Sequence, residues 1–322
     1  MAVLVAVLGR LPPIAAQDPP STAPVFPVDL DVVNVTVTVR DPAGNLVSNL
    51  KRDDFVVLED GRPQTLQVFA RARGGELVGD DEKDKALTID LGLMLDTSES
   101  MLSELKLSQE AATRFLENIP RARDLLTIFF DHDIRISRYD SENQQGLIER
   151  LQTAKGGGNT ALYDAITVYL SRAQGATGRK VLVMFTDGED SVSTTTLTDV
   201  LQLVRGTEVT IFPIAFRGGI PAGSQRALKP MAFMRELAAM TGGEVFQPSA
   251  SRDLATVYQK ILDQLSAQYV LGFVSDSPRH DAKFRRLKVE LGHPGLKARH
   301  RTGYYPAPVA AASGRPGTKP ES

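Results

Sequence analysis

The segment that decides the fold runs from residue 87 to residue 100 and reads LTIDLGLMLDTSES. Its first part, Leu87 to Leu95, is almost continuously apolar, which is typical of a β-strand buried on both faces. Three more runs of this kind follow, at Leu125 to Phe130, Val181 to Phe185 and Val209 to Phe216. Because such strands belong to parallel sheets that helices cover on both sides, the sequence predicts an α/β domain.

Helical patterns separate these apolar runs. Apolar residues recur there at the spacing of an amphipathic helix. The positions are Leu105, Ala112, Phe115, Ile119, Ala161, Ala165, Val168, Tyr169, Leu197, Leu201, Val204, Met234, Leu237 and Met240. A last amphipathic helix is predicted from Leu254 to Leu265. The alternation of strands and helices predicts a doubly wound, mainly parallel sheet over residues 86–266.

Two β segments flank this domain. Residues 25–73 and 267–305 both show the period-two alternation and the turn signals of antiparallel strands. The expected C-terminal strands are Tyr269 to Val274, Phe284 to Leu291 and Leu296 to Tyr304. Neither segment has enough strands to be stable alone, so we predict that they pair into one small β-sandwich, with the α/β domain inserted between them. Gly74 to Lys85, charged and glycine-bearing, reads as a linker.

The two ends of the chain differ from the rest. Residues 1–24 contain an apolar run followed by small residues and a proline-rich stretch, which resembles a secretory signal without its basic start. Because of this resemblance we expect an exported protein, periplasmic or secreted. The apolar run is too short to span a bilayer, so we expect no stable membrane span. An unstructured start or a misplaced start codon is the alternative. Residues 306–322 are rich in Pro, Ala, Gly and Ser and are predicted to be disordered.

Composition excludes several functions. The 322 residues include 37 basic and 39 acidic ones, with a net charge of -2, and this balance does not favour a nucleic-acid partner. The chain has no cysteine, which rules out thiolate catalysis, disulfides and cysteine metal sites. With only four histidines, a zinc site of nitrogen and sulfur ligands is not expected. Any metal must therefore be held mainly by oxygen.

Three loops carry oxygen ligands suited to a cation. Asp96, Ser98 and Ser100 alternate directly after the first buried strand, at the carboxyl end where ligands bind in open α/β sheets. Residues 156–160 (GGGNT) precede a predicted helix, and residues 186–190 (TDGED) follow a predicted strand at the same edge. A carboxylate with two hydroxyls suits the octahedral oxygen ligation that Mg²⁺ prefers. The sequence therefore predicts a divalent-cation site.

These three loops resemble the metal-ion-dependent adhesion site (MIDAS) of von Willebrand factor type A domains, in order and in approximate spacing. By this resemblance Ser98, Ser100 and Thr160 would give oxygens directly to the cation, and Asp96 and Asp187 would contact it directly or through water. The cation would be Mg²⁺, with Mn²⁺ or Ca²⁺ as alternatives. The arrangement of β segments around such a domain also resembles bacterial exported proteins called VWFA-related.

The resemblance implies binding rather than catalysis. A cation held partly by hydroxyls keeps enough positive charge to bind a carboxylate from a protein partner. The partner would contact the rim of the site, near Glu99, Asn159 and Glu189. One alternative is a metal-assisted hydrolase, although the sequence contains no H-E-x-x-H motif and its histidines are scattered. The other is a structural envelope protein whose site is vestigial.

Each motif also has a simpler interpretation. Ser100, Ser103 or Thr160 could serve as a helix cap and nothing more, and Asp187 could serve simply as a turn residue before Gly188. A phosphate-binding loop at the glycines is rejected because no Gly-Lys-Ser/Thr follows. Asp131, His132 and Asp133 could form an accessory cation site, provide an acid/base group, or simply make up a polar loop. Four further charged residues are expected to be solvated: Lys155, Glu99, Glu189 and Asp190.

Overall fold

The computed structural model describes residues 32–73, 76–79, 89–118, 124–140, 143–173, 179–216, 224–248, 253–277 and 283–306. The predicted signal segment, residues 1–24, and the predicted tail beyond Pro306 lie outside the described residues. Within the described part of the chain, every helix is too short or too polar to cross a lipid bilayer.

The strands are β1 (Val32–Arg40), β2 (Phe55–Glu59), β3 (Arg62–Gln64), β4 (Leu66–Arg73), β5 (Glu76–Gly79), β6 (Ile89–Asp96), β7 (Asp124–Phe130), β8 (Ile134–Asp140), β9 (Arg179–Thr186), β10 (Thr210–Ala215), β11 (Tyr269–Val274), β12 (Arg285–Leu291), β13 (Lys297–Arg299) and β14 (Gly303–Tyr304). The helices are α1 (Leu102–Asn118), α2 (Gln144–Thr153), α3 (Leu162–Arg172), α4 (Leu197–Gly206), α5 (Gln225–Thr241) and α6 (Leu254–Ser266).

The α/β part is built on a sheet with the strand order β10-β9-β6-β7-β8. β6 pairs in parallel with β7 on one side and with β9 on the other, and β10 extends the sheet in parallel beyond β9. Every residue of β6 is buried, as expected for the central strand of such a sheet. β8 pairs antiparallel with β7 at the edge. The predicted doubly wound, mainly parallel sheet is confirmed.

Helices cover both faces of this sheet. Leu91, Leu93 and Leu95 of β6 pack in one core with α1, α2 and α6, whereas Met94 packs in a second core with α3, α4 and α5. Successive side chains of a strand point to opposite faces, so one apolar run supplies both cores. The helical patterns did not include α2, whose buried residues are only Leu147 and Leu151.

The flanking segments form two antiparallel sheets with the orders β13-β1-β11-β4-β5 and β14-β12-β2-β3. β11, from the C-terminal segment, lies between β1 and β4 of the N-terminal segment, so the predicted pairing of the two segments is confirmed. The sheets share one core. At its centre the Tyr269 ring lies 4.8 Å from that of Phe55, and its hydroxyl donates to the Val47 carbonyl at 3.0 Å.

Two sequence predictions about the β segments were wrong in detail. The expected linker from Gly74 to Lys85 contains β5, which pairs with β4 and widens the sheet. The single strand expected from Leu296 to Tyr304 is divided between the two sheets as β13 and β14. The division arises because the chain between them turns to the α/β part, where the Thr302 amide donates to the Met240 carbonyl at 3.0 Å.

The sandwich contacts the α/β part at the amino ends of the parallel strands. Glu244, just after α5, accepts hydrogen bonds from Arg40 of β1 at 3.1 Å, Arg299 of β13 at 2.8 Å and Gln264 of α6 at 2.8 Å. Arg301 is buried between the loop before β10 and β1, and it also lies over the Tyr304 ring. The carboxyl ends of the strands therefore face away from the sandwich.

We expect Glu244→Gln to lower the free energy of unfolding by about 1–2 kcal/mol near pH 7, because two arginines lose a partly exposed carboxylate partner. Burial raises the pKa of Glu244, but Arg299 and Arg40 outweigh it and hold the pKa below its ordinary value of 4.5. A lowered carboxyl pKa stabilises the folded state above pH 4.5, and this contribution is lost as the pH falls through the folded-state pKa.

Urea unfolding at neutral and acidic pH checks this expectation. The difference between the wild type and Glu244→Gln should shrink below pH 4.5. Glu290→Gln is the matched control, since Glu290 pairs at 2.7 Å with an exposed Lys288 and should matter little at either pH. If Glu244→Gln lowers the free energy of unfolding equally at neutral and acidic pH, the ion pairs of Glu244 with Arg40 and Arg299 do not provide the stabilisation.

Candidate metal centre

Asp96 is the last residue of the central strand and is fully buried. One carboxylate oxygen accepts the Ser98 amide at 3.0 Å, and the other accepts the hydroxyl of Thr186 at 2.7 Å. Thr186 ends β9, the neighbouring parallel strand. Helices leave β6 and β9 toward opposite faces of the sheet, so this carboxylate lies at the crevice where open α/β sheets bind ligands.

The environment of Asp96 is unfavourable for an isolated negative charge. Burial raises the pKa of Asp96 to about 7, against the hydrogen bonds from Ser98 and Thr186 that favour the ionised form. The charge of Asp187 raises the pKa further. A proton or a nearby cation stabilises a buried carboxyl group that has a second carboxylate as its neighbour. The electrostatics therefore suit a bound cation.

Ser98 and Ser100 face each other. Ser98 has an extended backbone and Ser100 lies in the short 3₁₀ turn that follows, which brings their hydroxyl oxygens to 3.2 Å. Ser98 is buried, whereas Ser100 is half-buried. Among the described residues, the Ser100 hydroxyl bonds to the Ser98 hydroxyl and to no backbone N–H of a helix. Helix capping therefore does not explain the position of Ser100.

Thr160 and Asp187 are buried in the two neighbouring loops. The Thr160 amide donates to the Ser191 hydroxyl at 2.9 Å, and its carbonyl accepts the Ser191 amide at 2.9 Å, so the loops are joined. One carboxylate oxygen of Asp187 accepts the Glu189 amide at 3.0 Å. The other is buried and has no hydrogen-bond partner within the described residues.

Helix capping at α3 falls to Asp190 rather than to Thr160. The Asp190 carboxylate accepts the Tyr163 amide at 3.1 Å and the Ser193 hydroxyl at 2.5 Å. Asp190 was expected to be solvated; it is half-buried and has this capping role, which the sequence did not predict. The residue before a helix is the usual position for a cap, and here the cap comes from a loop distant in sequence, which no local pattern reveals.

The glycines of the second loop allow it to approach the first. The Gly157 amide donates to the Thr97 carbonyl at 2.7 Å, and the Gly158 carbonyl accepts the Glu99 amide at 3.0 Å. A Cβ on Gly156 would lie 2.4 Å from the Thr97 carbonyl oxygen, which only glycine avoids. The glycines therefore serve close backbone contact between the loops.

The predicted residues form a chemically consistent donor set. Asp96, Ser98 and Ser100 lie in one loop, and Thr160 and Asp187 lie in loops bonded to each other, while the Thr160 loop also contacts the first. All five offer hard oxygens, the ligand type of Mg²⁺ and Ca²⁺. The unpartnered Asp187 oxygen is a buried acceptor that a cation would satisfy. The residues fit a divalent cation of this class.

The rim residues are placed around these loops. Glu99 and Asn159 are exposed, and Glu189 is half-buried. Lys155, expected to be solvated, is exposed.

Asp131, His132 and Asp133 offer possible ligand atoms within 4.8 Å of one another. The buried Asp131 carboxylate, however, is already engaged by Arg135, at 2.7 and 3.2 Å, and by the Asp133 amide at 2.8 Å. Burial raises the pKa of Asp131, but Arg135 and the other donors outweigh it and hold the pKa below its ordinary value. Arg135 had no assigned role in the sequence, because its partnership depends on the turn between β7 and β8.

Comparison with known protein families identifies the class of protein. Residues 90–260 match the von Willebrand factor type A domain, and this match covers more than half of the 322 residues. The chain belongs to the von Willebrand factor type A family, many of whose members bind a divalent cation at the MIDAS. No curated protein is significantly similar to the chain.

Solved structures with similar folds are distant in sequence. An aerotolerance-related membrane protein from Bacteroides fragilis is 14% identical, covering 55% of this chain and 98% of its own, with a TM-score of 0.42. A von Willebrand factor type A protein from Catenulispora acidiphila is 12% identical, covering 80% and 75%, with a TM-score of 0.47. Proximal thread matrix protein 1 from the mussel byssus, with a zinc-occupied MIDAS motif, is 15% identical, covering 57% and 47%, with a TM-score of 0.42.

We expect Gly156→Ala to weaken cation binding about tenfold or more, because the added methyl group forces the second loop away from Thr97 at a cost of about 1–3 kcal/mol. Gly146→Ala is the control, since a Cβ there meets only a Tyr139 ring carbon at 3.9 Å and a helical alanine is tolerated. Titration calorimetry with Mn²⁺ compares the two variants. Equal Mn²⁺ affinities of the two variants would show that the close contact between the Gly156 loop and Thr97 is not needed for cation binding.

Proposed function

We propose that this protein binds a protein partner through a divalent cation held by Asp96, Ser98, Ser100, Thr160 and Asp187, with Mg²⁺ as the first choice. The observation that carries the proposal is a buried Asp187 oxygen that has no hydrogen-bond partner among the described residues. It is accompanied by the Asp96 carboxyl group, whose pKa is raised to about 7 by burial and further by the charge of Asp187. When bound, the cation supplies a positive charge, and a carboxylate of the partner can complete its coordination shell.

Exposed apolar side chains around the site favour a protein partner over a small anion. In the described part of the chain, seven large apolar residues are exposed, and two of them, Leu102 and Val192, lie beside the cation loops. Leu102 follows Ser100 by two residues and packs beside Gly156. The amide of Val192 donates to the Thr160 carbonyl at 3.2 Å. Apolar surface beside a charged centre is typical of protein contacts.

The position of the sandwich also supports docking at this edge. It contacts the amino ends of the strands through Glu244 and Arg301, which leaves the cation loops on the side away from it. A partner can therefore approach the site without displacing the sandwich.

Catalysis is the second candidate, and the described histidines argue against it. His293 pairs with Asp54 at 2.9 Å, and His300 accepts the Val289 amide at 3.1 Å, both within the sandwich. His132 is near the cation loops, but Asp131 and Asp133 flank it at 3.2 and 3.4 Å. We therefore favour binding over metal-assisted hydrolysis. Export to the periplasm or beyond is part of the proposal, and sequencing the mature N-terminus tests it.

Calorimetry with Mg²⁺ and Mn²⁺ tests the cation site. Ser98→Ala and Asp187→Asn should each weaken binding about tenfold or more, since the first removes a proposed oxygen ligand and the second replaces a charged carboxylate with a neutral amide. Ser103→Ala is the matched control, because Ser103 is exposed one turn further along and should bind like the wild type. Equal heats in the wild type and the two site variants would refute the cation site.

Capture from a bacterial envelope extract tests the carboxylate. The immobilised protein should retain a partner with Mg²⁺ but not with EDTA, and Asp187→Asn should retain none. Amidating the carboxyl groups of the extract beforehand should abolish capture, and Leu102→Ser should weaken it. Capture that survives amidation would contradict the proposed chemistry. Chemical conversion of a retained molecule by the wild type with Mg²⁺ would instead favour the hydrolase.

A further inference from the structure

A buried residue stands between two of the proposed ligands. Thr97 lies between Asp96 and Ser98 and is fully buried. Its amide donates to the Phe130 carbonyl at 2.7 Å, and its hydroxyl oxygen lies 3.0 Å from both that carbonyl and the Asp131 carboxylate. The first cation loop is therefore attached to the end of β7 through Thr97, which is not itself a proposed ligand.

Arg135 completes this attachment. Its guanidinium donates to both oxygens of Asp131, at 2.7 and 3.2 Å, and to the Thr97 hydroxyl oxygen at 2.8 Å. A planar guanidinium that engages a carboxylate with two bonds fixes geometry more strictly than a single contact. Arg135 therefore holds Asp131 and Thr97 together.

The same attachment reaches the second cation loop through the main chain. The Asp131 carbonyl accepts the Ala161 amide at 2.8 Å, directly after Thr160. The Thr97 carbonyl accepts the Gly157 amide at 2.7 Å, at the other end of this loop. Asp131 and Thr97 thus contact the loops of three proposed ligands, Ser98, Ser100 and Thr160, without sharing any proposed ligand atom.

We infer that Asp131 and Arg135 are positioning residues that hold the Ser98 and Thr160 loops in register for the cation. The inference rests on the proposed function for its cation, but the network itself is a property of the metal-free chain. It gives the Asp131–Asp133 turn a role other than that of a second cation site, because Arg135 already occupies the carboxylate.

Arg135→Met tests the inference, since it keeps an unbranched apolar stem at this position but removes every donor. Loss of an outer partner of a metal site weakens metal binding by about tenfold to a hundredfold, and we expect about tenfold for Mn²⁺. Arg138→Met is the matched control, because Arg138 lies on the same strand and pairs at 3.3 Å with Asp124, away from the cation loops. It should bind Mn²⁺ like the wild type.

Amide hydrogen exchange in the metal-free protein provides a second readout. In Arg135→Met the amides of Thr97, Gly157 and Ala161 should exchange faster, whereas Arg138→Met should leave them unchanged. Unchanged exchange in Arg135→Met, or equal acceleration in both variants, would overturn the inference. If the wild type binds no Mn²⁺, the proposed function fails, while the exchange rates still decide whether Asp131 and Arg135 hold the loops.

Discussion

The parallel pairing of β6 with β7 and β9 is the constraint on which the rest of the molecule depends. It places Asp96, Phe130 and Thr186, the last residues of three strands, side by side at one edge of the sheet. The bond from the Thr186 hydroxyl to Asp96 then joins the two strands where their loops diverge. Every further contact between the cation loops builds on this alignment.

Burial at this edge produces the chemistry. The same packing that excludes water from Asp96 raises its pKa, and among the described residues an oxygen of Asp187 is left without a hydrogen-bond partner. A structure optimised only for stability would satisfy these groups with hydrogen-bond donors. A buried carboxylate oxygen without a donor, beside a second buried carboxyl group and several hydroxyls, is therefore the expected signature of a cation site. The sandwich at the opposite edge leaves this site accessible.

Periodicity and loop position predicted the parallel sheet, the sandwich made from both ends of the chain, and a common edge for the three loops. These features depend on local patterns and on the rules of strand connection, which a sequence displays. The roles of Arg135 and Asp190 were not predictable in this way, because their partners come from other loops. β5 was missed for a related reason, since its short strand is stabilised by pairing with β4 and its sequence resembles a linker.

The central claim is that a single hard cation binds among Asp96, Ser98 and Ser100, and anomalous X-ray diffraction from crystals soaked in Mn²⁺ tests it most directly. A peak at the carboxyl edge of β6, with the Ser98 and Ser100 hydroxyl oxygens at about 2.0–2.4 Å, is the predicted result. A peak at Asp131 and Asp133 instead, or no peak near the β6 loop, would contradict the claim.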